Sequence, residues 1–353
     1  MQNQKKRVQW VDIVKYICIM WVMLSHLEAN TKLLNTFYSP FFLNGFFFAS
    51  GYVYYHKDGF RDFFVKKLKG LFVPWLFFSV FNILLSQVIT FNEHSSLLEE
   101  LKWNFLQIRG KGDDIWFVAA LFVAFIPFYF FIGKYERSKK QSQDKVIFII
   151  LTFVLSLISN LYGKYMNPDL LPWGTTPLPW HIEYIFVAMF WMVLGYLFRN
   201  EYETAFDSKV KSESIIILFL LYMIIRYVPY ITKYDIKNNI ASIGYSYISA
   251  FLGVFLLIYF SKRIKPNRYL LYIGQNTLIC FALHGKTFSL IQTILKKTIG
   301  SLYSLIIENI FASSLFAIAF TVILSFILII PIYVINRWLP FLIGRKYRIK
   351  EKN

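Results

Sequence analysis

Ten stretches of this chain are too apolar and too long to serve as the elements of a water-soluble domain. Runs of 17 or more predominantly apolar residues fall at roughly 11–30, 37–55, 71–91, 115–133, 146–162, 182–198, 214–231, 242–260, 271–292 and 309–336. A helix needs about 20 residues to cross a hydrocarbon core about 30 Å thick, so each run is a candidate span. Charge is correspondingly scarce, at 16% of residues against about 25% in soluble domains. The expected fold is all-α: a polytopic integral membrane helical bundle of about ten transmembrane helices. It is read as one integral membrane domain over residues 1–353, with a basic cytoplasmic tail over 338–353.

A net charge of +18 would in another chain suggest a nucleic-acid partner. Here 26 of the 38 Lys and Arg residues lie in the N-terminal segment, in 56–70, 134–145, 199–213 and 261–270, and in the C-terminal segment. The five intervening loops hold 9, and Lys15, Arg226 and Lys286 fall inside the runs. This alternation satisfies the positive-inside rule with both termini cytoplasmic. The basic charge is thus topological, its edge facing anionic membrane lipid, and no nucleic-acid partner is expected.

Both cysteines, Cys18 and Cys280, sit within runs, which gives no disulfide framework or metal cluster. The first run lacks a small-residue cleavage site and is expected to be a retained helix rather than a signal peptide. The longest outside loops are about 92–114 and 163–181. The first carries an amphipathic stretch near Leu97–Leu106, suited to the membrane surface. The second has Pro168, Pro172, Pro177, Pro179 and Gly174, the composition of an ordered, turn-rich cap. No internal repeat is evident, which weighs against a transporter built from inverted halves.

The first run, "VDIVKYICIMWVMLSH" (Val11–His26), carries three groups that can be charged near neutral pH, Asp12, Lys15 and His26, although a charge at mid-bilayer costs about 2.5–3.5 kcal/mol or more. Lys15 and His26 are eleven residues apart. At 100° and 1.5 Å per residue they project from nearly the same helix face, roughly 16 Å apart along the axis. Asp12, three residues before Lys15, can pair with it. A long cytoplasmic donor could be held by its phosphates near Lys15 while its reactive end reaches His26, and the pantetheine arm of coenzyme A has about that reach. His26 would act as general base on an acceptor hydroxyl or carry the acyl group briefly itself. The plainer alternative is a snorkelling lysine and a histidine bonded to a neighbouring helix.

With a Lys, ten residues, then a His, and an Asp three before the Lys, the helix resembles the first span of the membrane acyltransferase 3 family. Arg is commoner at the first of these positions; Lys occurs in the fucose 4-O-acetylase-like branch. Further pieces come in order. "FFFASGYVYY" (Phe46–Tyr55), "FVKKLKGLFVPW" (Phe64–Trp75), "IWFVAALF" (Ile115–Phe122), "FVAMFWMVLGYLF" (Phe186–Phe198) and "YIGQNTLICFALHG" (Tyr272–Gly285) are similar to the family's later motifs. The resemblance implies transfer of an acyl group, usually acetyl from cytoplasmic acetyl-CoA, to a hydroxyl of an exported glycan or lipid-linked sugar. Some members carry attached hydrolase-like domains; here the membrane domain alone is expected to complete transfer.

Other candidates each have a structural alternative. His284 is expected at a depth similar to His26, orienting it or sharing proton transfer. Gln275 and Asn276 would bind donor groups or join helices. Lys66, Lys67 and Lys69 would clamp coenzyme A phosphates or serve only as topological charge. Arg226 would grip an acidic sugar, stabilise an oxyanion or snorkel. Asp113 and Asp114 beside Trp116, and Glu183 near Trp180 and His181, would meet the acceptor sugar, pair with His26 or remain plain loop charge. Ser50 and Gly51 would allow close helix packing. His56 and His94 are assigned nothing. No metal motif or glycine-rich phosphate loop is present in the sequence, and no metal is expected.

The reading is an O-acetyltransferase embedded as a multi-pass protein in a cell membrane, with His26 and His284 catalytic. The abundance of Lys, Asn and Ile suits an AT-rich bacterial genome. Lys15, Asp12 and the lysines at 66, 67 and 69 would hold acetyl-CoA. Arg226, Asp114, Trp116 and Glu183 would hold the acceptor, with polysaccharide assembly machinery as a partner. A glycan exporter or flippase of the same family is the alternative.

Overall fold

In the computed structural model the described residues are 7–89, 96–108, 110–111, 115–138, 142–175, 177–233 and 241–345. Among them the regular structure is helical, with no strand. In lipid this is the expected outcome, because a helix satisfies its own backbone hydrogen bonds where no water can. In chain order the helices are α1 (Gln9–Ser25), α2 (Lys32–Tyr38), α3 (Phe42–Tyr52), α4 (Phe60–Lys67), α5 (Val73–Ile89), α6 (Leu97–Leu106), α7 (Trp116–Ser138) and α8 (Ser142–Tyr165). They continue with α9 (Ile185–Leu197), α10 (Glu203–Lys209), α11 (Ser212–Thr232), α12 (Ala241–Arg263), α13 (Arg268–Gln275), α14 (Thr277–Glu308), α15 (Ile310–Ile327) and α16 (Ile329–Trp338).

Eight helical stretches among the described residues are long and apolar enough to cross a membrane. They cover the last eight of the ten apolar runs. The first two runs form shorter helices: α1 has 17 residues and α3 has 11. The reason is local. Past Ser25 the chain turns at "HLEAN", and Pro40 separates α2 from α3, so the apolar composition of 11–30 and 37–55 is not spent on two unbroken rods. The amphipathic stretch at Leu97–Leu106 is helix α6, and the proline-rich loop forms the short 3₁₀ turns Pro168–Leu170 and Pro179–Tyr184.

The chain divides into two compact units, Met1–Ala49 with Phe198–Ile329, and Ser50–Leu197 with Ile330–Asn353. In the first unit α1 is the central helix, packed by α12, α13, α14 and α15. Its buried residues Val11, Ile13, Val14, Cys18, Ile19, Val22, Met23 and Leu24 leave no polar stripe wide enough for a solvent face. By contrast α11 turns Ile216, Ile217, Leu220, Ile224 and Ile231 outward; an exposed apolar row of this kind belongs against lipid rather than water. Caps set the helix boundaries. After Pro266, Asn267 accepts from the Leu270 amide at 2.9 Å and starts α13, and Asn309 accepts from the Phe311 and Ala312 amides at 3.0 Å and starts α15.

Asn276 breaks the 271–292 run into α13 and α14. Its backbone leaves the helical region (φ −122°, ψ 24°) while its side-chain amide donates to the Tyr272 carbonyl at 2.7 Å. The break aims the end of α13 at α1, where a Cβ on Gly274 would lie 2.0 Å from the Asp12 carbonyl oxygen. Only glycine permits that approach.

In the second unit α9 packs against α7 and α8. The close packing expected at Gly51 is present: a Cβ there would fall 1.8 Å from the Met192 carbonyl oxygen. A π-helical turn at Leu68–Phe72 joins α4 to α5 and lies against α7; its extra residue per turn shifts the side-chain register of α5 relative to α4. Replacement of Gly274 or Gly51 by Ala forces backbones apart and is expected to destabilise by about 1–3 kcal/mol, the cost of overpacking. Gly163→Ala, where nothing lies within 4 Å, leaves stability unchanged or slightly raised. Thermal unfolding of the three variants in lipid nanodiscs checks the contrast.

Candidate functional site

The N-terminal end of α1 is built around Asp12, whose residue is 2% exposed. Arg7 reaches it with two guanidinium nitrogens, Nε to Oδ2 at 2.6 Å and Nη2 to Oδ1 at 3.0 Å. Lys15 Nζ lies 2.8 Å from Oδ1, and Gln275 Nε2 donates to Oδ2 at 3.2 Å. The i,i+3 pair follows from helical spacing. Arg7 and Gln275 do not: Arg7 precedes the helix and reads in the sequence as topological charge, while Gln275 is brought in by the Gly274 approach. One carboxylate here neutralises only one of two cations, so the cluster retains a net positive charge.

At the other end of α1, His26 is the capping residue (φ −94°, ψ −1°). It is exposed rather than embedded among other helices, because the helix stops there. The structure brings His26 and His284 side by side, with ring centroids 4.9 Å apart at 67°. His284 is the buried partner, 4% exposed. Its Nδ1 lies 2.8 Å from the Phe281 carbonyl and 3.2 Å from that of Cys280. Two carbonyl acceptors require Nδ1 to carry the proton. Nε2 is then a buried lone pair with no hydrogen-bond partner among the described residues. A pair of imidazoles, one exposed and one fixed as an acceptor, can take and hold a proton.

Beyond His26, Glu28 accepts from Lys296 Nζ at 2.9 Å and from Gln292 Nε2 at 2.7 Å. Gln292 also donates to the Tyr303 hydroxyl at 2.8 Å. These contacts bind the loop after α1 to the length of α14. The hydrogen bond from Lys296 holds the Glu28 carboxyl below its usual range, against a smaller opposing effect of burial.

Arg226 has partners within the protein. It donates to the Thr36 carbonyl at 2.8 Å, the Tyr245 hydroxyl at 2.7 Å and Ser39 Oγ at 3.3 Å. With the Tyr222 hydroxyl on the Phe37 carbonyl and that of Tyr227 on the Leu33 carbonyl at 3.0 Å, it clamps α2. The guanidinium that its depth in the helix offered to a substrate is here engaged in positioning the chain.

The remaining predicted residues belong to the second unit. Lys66 pairs with Asp58 at 2.6 Å. Lys67 sits 3.3 Å over the Phe125 ring, where the quadrupole stabilises an ammonium. The expected three-lysine clamp therefore has two members occupied, and Lys69 is exposed. Trp116 packs on His181 at 5.1 Å and on Tyr184 at 5.9 Å. Glu183 accepts from the Leu178 amide at 2.8 Å, a turn-stabilising bond rather than plain loop charge. Asp113, Asp114 and His94 lie outside the described residues.

Asp12→Ala leaves Arg7 and Lys15 without their counter-charge. It is expected to destabilise by about 2 kcal/mol, less than the roughly 3–5 kcal/mol of a fully buried pair because Arg7 is half exposed; chemical denaturation in nanodiscs measures it. For Glu28, a folded pKa below the unfolded value of about 4.3 means its contribution is present above that pH and lost as pH falls through the folded value. Amide exchange of residues 27–31 is expected to rise on acidification, and Lys296→Met is expected to flatten that rise.

A family model described as an acyltransferase domain matches residues 8–333. No curated protein and no solved structure matches the chain. The match spans both units and the ordered motifs from Asp12 to His284, so this chain belongs to the acyltransferase 3 family and is a multi-pass membrane acyltransferase.

Proposed function

We propose that this acyltransferase moves an acetyl group from acetyl-CoA, bound from the cytoplasm, to a hydroxyl of a cell-surface polysaccharide or lipid-linked glycan precursor. Its setting is the plasma membrane of a bacterium, alongside polysaccharide assembly machinery. The observation that carries this reading is the apposition of His26 and His284, 4.9 Å apart, at the opposite end of α1 from the Arg7–Asp12–Lys15 cluster.

The residual positive charge of that cluster suits donor phosphates. His26, exposed at the helix end, takes the proton of the acceptor hydroxyl as its oxygen bonds to the acetyl carbonyl carbon. The carbon–sulfur bond breaks, and the proton passes to the departing thiolate. His284 Nε2, an unmet acceptor in the ring beside His26, would take an N–H of His26 once the acceptor is bound and so direct the other nitrogen toward the hydroxyl, the role of an orienting base. Burial of His284 keeps its own Nε2 from exchanging partners with water. The route through an acetyl-imidazole uses the same two residues, with His26 as nucleophile.

The test uses the purified protein in sealed vesicles, with acetyl-labelled acetyl-CoA on the face bearing the N-terminus of α1. Wild type is expected to pass label to glycan, and His26→Ala to lose transfer about 10²–10⁴-fold, the usual worth of a general base. Label retained on wild-type protein in the absence of glycan selects the acetyl-imidazole route. Full transfer by His26→Ala sinks the assignment; glycan crossing the vesicle without any label transfer makes the chain an exporter.

A further inference from the structure

Two polar side chains in the part of α14 beyond His284 have no place in the proton chemistry above, yet both are buried: Gln292 at 4% exposure and Tyr303 at 6%. A glutamine inside a membrane-spanning helix is tolerated where its amide finds partners. Gln292 uses both amide hydrogens, Nε2 donating to Glu28 Oε2 at 2.7 Å and to the Tyr303 hydroxyl at 2.8 Å. That hydroxyl passes its own hydrogen to the Glu28 backbone carbonyl at 3.3 Å. Glu28 is thereby gripped twice, at its carboxylate and at its main chain, while Lys296 adds an exposed ion pair at 2.9 Å.

The reach of Tyr303 depends on a break in its helix. In an unbroken α-helix Tyr303 would stand roughly 16 Å along the axis from Gln292, beyond what the two side chains span together. Ile299 leaves the helical region (φ −131°, ψ 37°), and that change of direction lets the hydroxyl meet the amide. The Tyr303 ring also packs edge-on to Phe316 of α15, with centroids 5.7 Å apart, a contact that does not need the hydroxyl.

Glu28 is two residues from His26, so at most about 7 Å of chain separates their Cα atoms. The intervening Leu27 is buried. On the side of α1, the His26 amide donates to the Met23 carbonyl at 3.3 Å. His284 and Gln292 share α14, about 12 Å apart along its axis. The segment from His26 to Glu28 therefore meets α14 at both of its ends, ring beside ring at His284 and by hydrogen bond at Gln292.

We propose that Gln292 and Tyr303 are positioning residues, which hold the His26 imidazole beside His284 by gripping Glu28 from α14. The assignment rests on the reading that His26 is the base, and it adds what keeps the base in place. His26 caps α1, and helix ends fray; a frayed last turn would carry the imidazole away from its partner. An exposed ion pair such as Glu28–Lys296 holds a loop weakly. The buried amide and hydroxyl instead supply directional bonds of defined length, one of them to the main chain itself.

The experiment combines two readouts on the full chain in lipid nanodiscs. Transfer from acetyl-labelled acetyl-CoA to de-O-acetylated oligosaccharides, cut from the envelope polysaccharide of the expressing cell, gives kcat and KM. Magic-angle-spinning NMR of histidine-labelled protein gives a cross-peak between the two rings, assigned by its loss in His26→Ala. Tyr303→Phe removes one oxygen and keeps the ring. It is expected to lower kcat about tenfold or more, since a misplacement of about 1 Å costs up to about 10²-fold, and to weaken the cross-peak. Melting temperature and KM for acetyl-CoA are expected to stay as in wild type. Glu28→Ala is expected to act alike, and Glu28→Gln, which still offers Gln292 an oxygen, to recover most of the rate. Ser304→Ala, whose hydroxyl returns to the Ser301 carbonyl at 2.9 Å, is the control from the same segment and is expected to match wild type.

Wild-type kcat and cross-peak in Tyr303→Phe overturn the proposal, as does a lowered kcat or melting temperature with the cross-peak intact. Equal losses in Glu28→Gln and Glu28→Ala make the charge decisive rather than the grip, and overturn it too; this pair decides where Tyr303→Phe unfolds. A weakened cross-peak with wild-type kcat leaves the positioning role standing and sinks the catalytic reading of His26 instead. The cross-peak needs no turnover, so it tests the positioning role even where wild type transfers no label.

Discussion

A buried carboxylate organises the first unit. Asp12 gathers Arg7, Lys15 and Gln275 on its two oxygens, while its backbone carbonyl is close enough to α13 that only Gly274 fits. An isolated ionised group at this depth would be costly, and paired charges and hydrogen bonds are what make it tolerable. The same contacts fix α1 against α13, and α13 is continuous in sequence with the helix that carries His284. The position of the second imidazole thus depends on a carboxylate at the far end of the first helix.

The two histidines differ in their surroundings. His284 is tied to carbonyls of its own helix and cannot turn without leaving its Nδ1–H unsatisfied. His26 stands where α1 ends and is held by its neighbours rather than enclosed by them. The loop after it is fastened at Glu28 to α14 and, a few residues on, at Thr36, Phe37 and Ser39 to α11. An exposed imidazole on an anchored loop can meet a large acceptor without being free to wander.

The second unit meets the problem of placing polar groups differently. Its aromatic cluster is held by backbone strain at Trp180 and His181, with Glu183 closing the turn on the Leu178 amide. Sequence reading saw carboxylates flanked by aromatics here and assigned Glu183 and Trp116 to the acceptor. It named His181 only as a neighbour, since a lone histidine in a proline-rich loop carries no spacing signal. A bulky pair after proline in "PLPWHIEY" was the available hint.

Composition and periodicity alone determined that this chain is helical and belongs in a membrane, because the solvent rather than the fold dictates long apolar runs. The spacing of Asp12, Lys15 and His26 likewise followed from the geometry of one helix, and the ordered motifs carried the family. Contacts between helices were decided only in three dimensions. Arg7 and Gln275 on Asp12, Arg226 as a clamp for α2, and Lys67 against an aromatic ring all join residues that local periodicity cannot relate. The break at Asn276 shows the physical reason: a single amide bonding its own helix ends one rod and starts another, and that change of direction chooses the partners of every side chain beyond it.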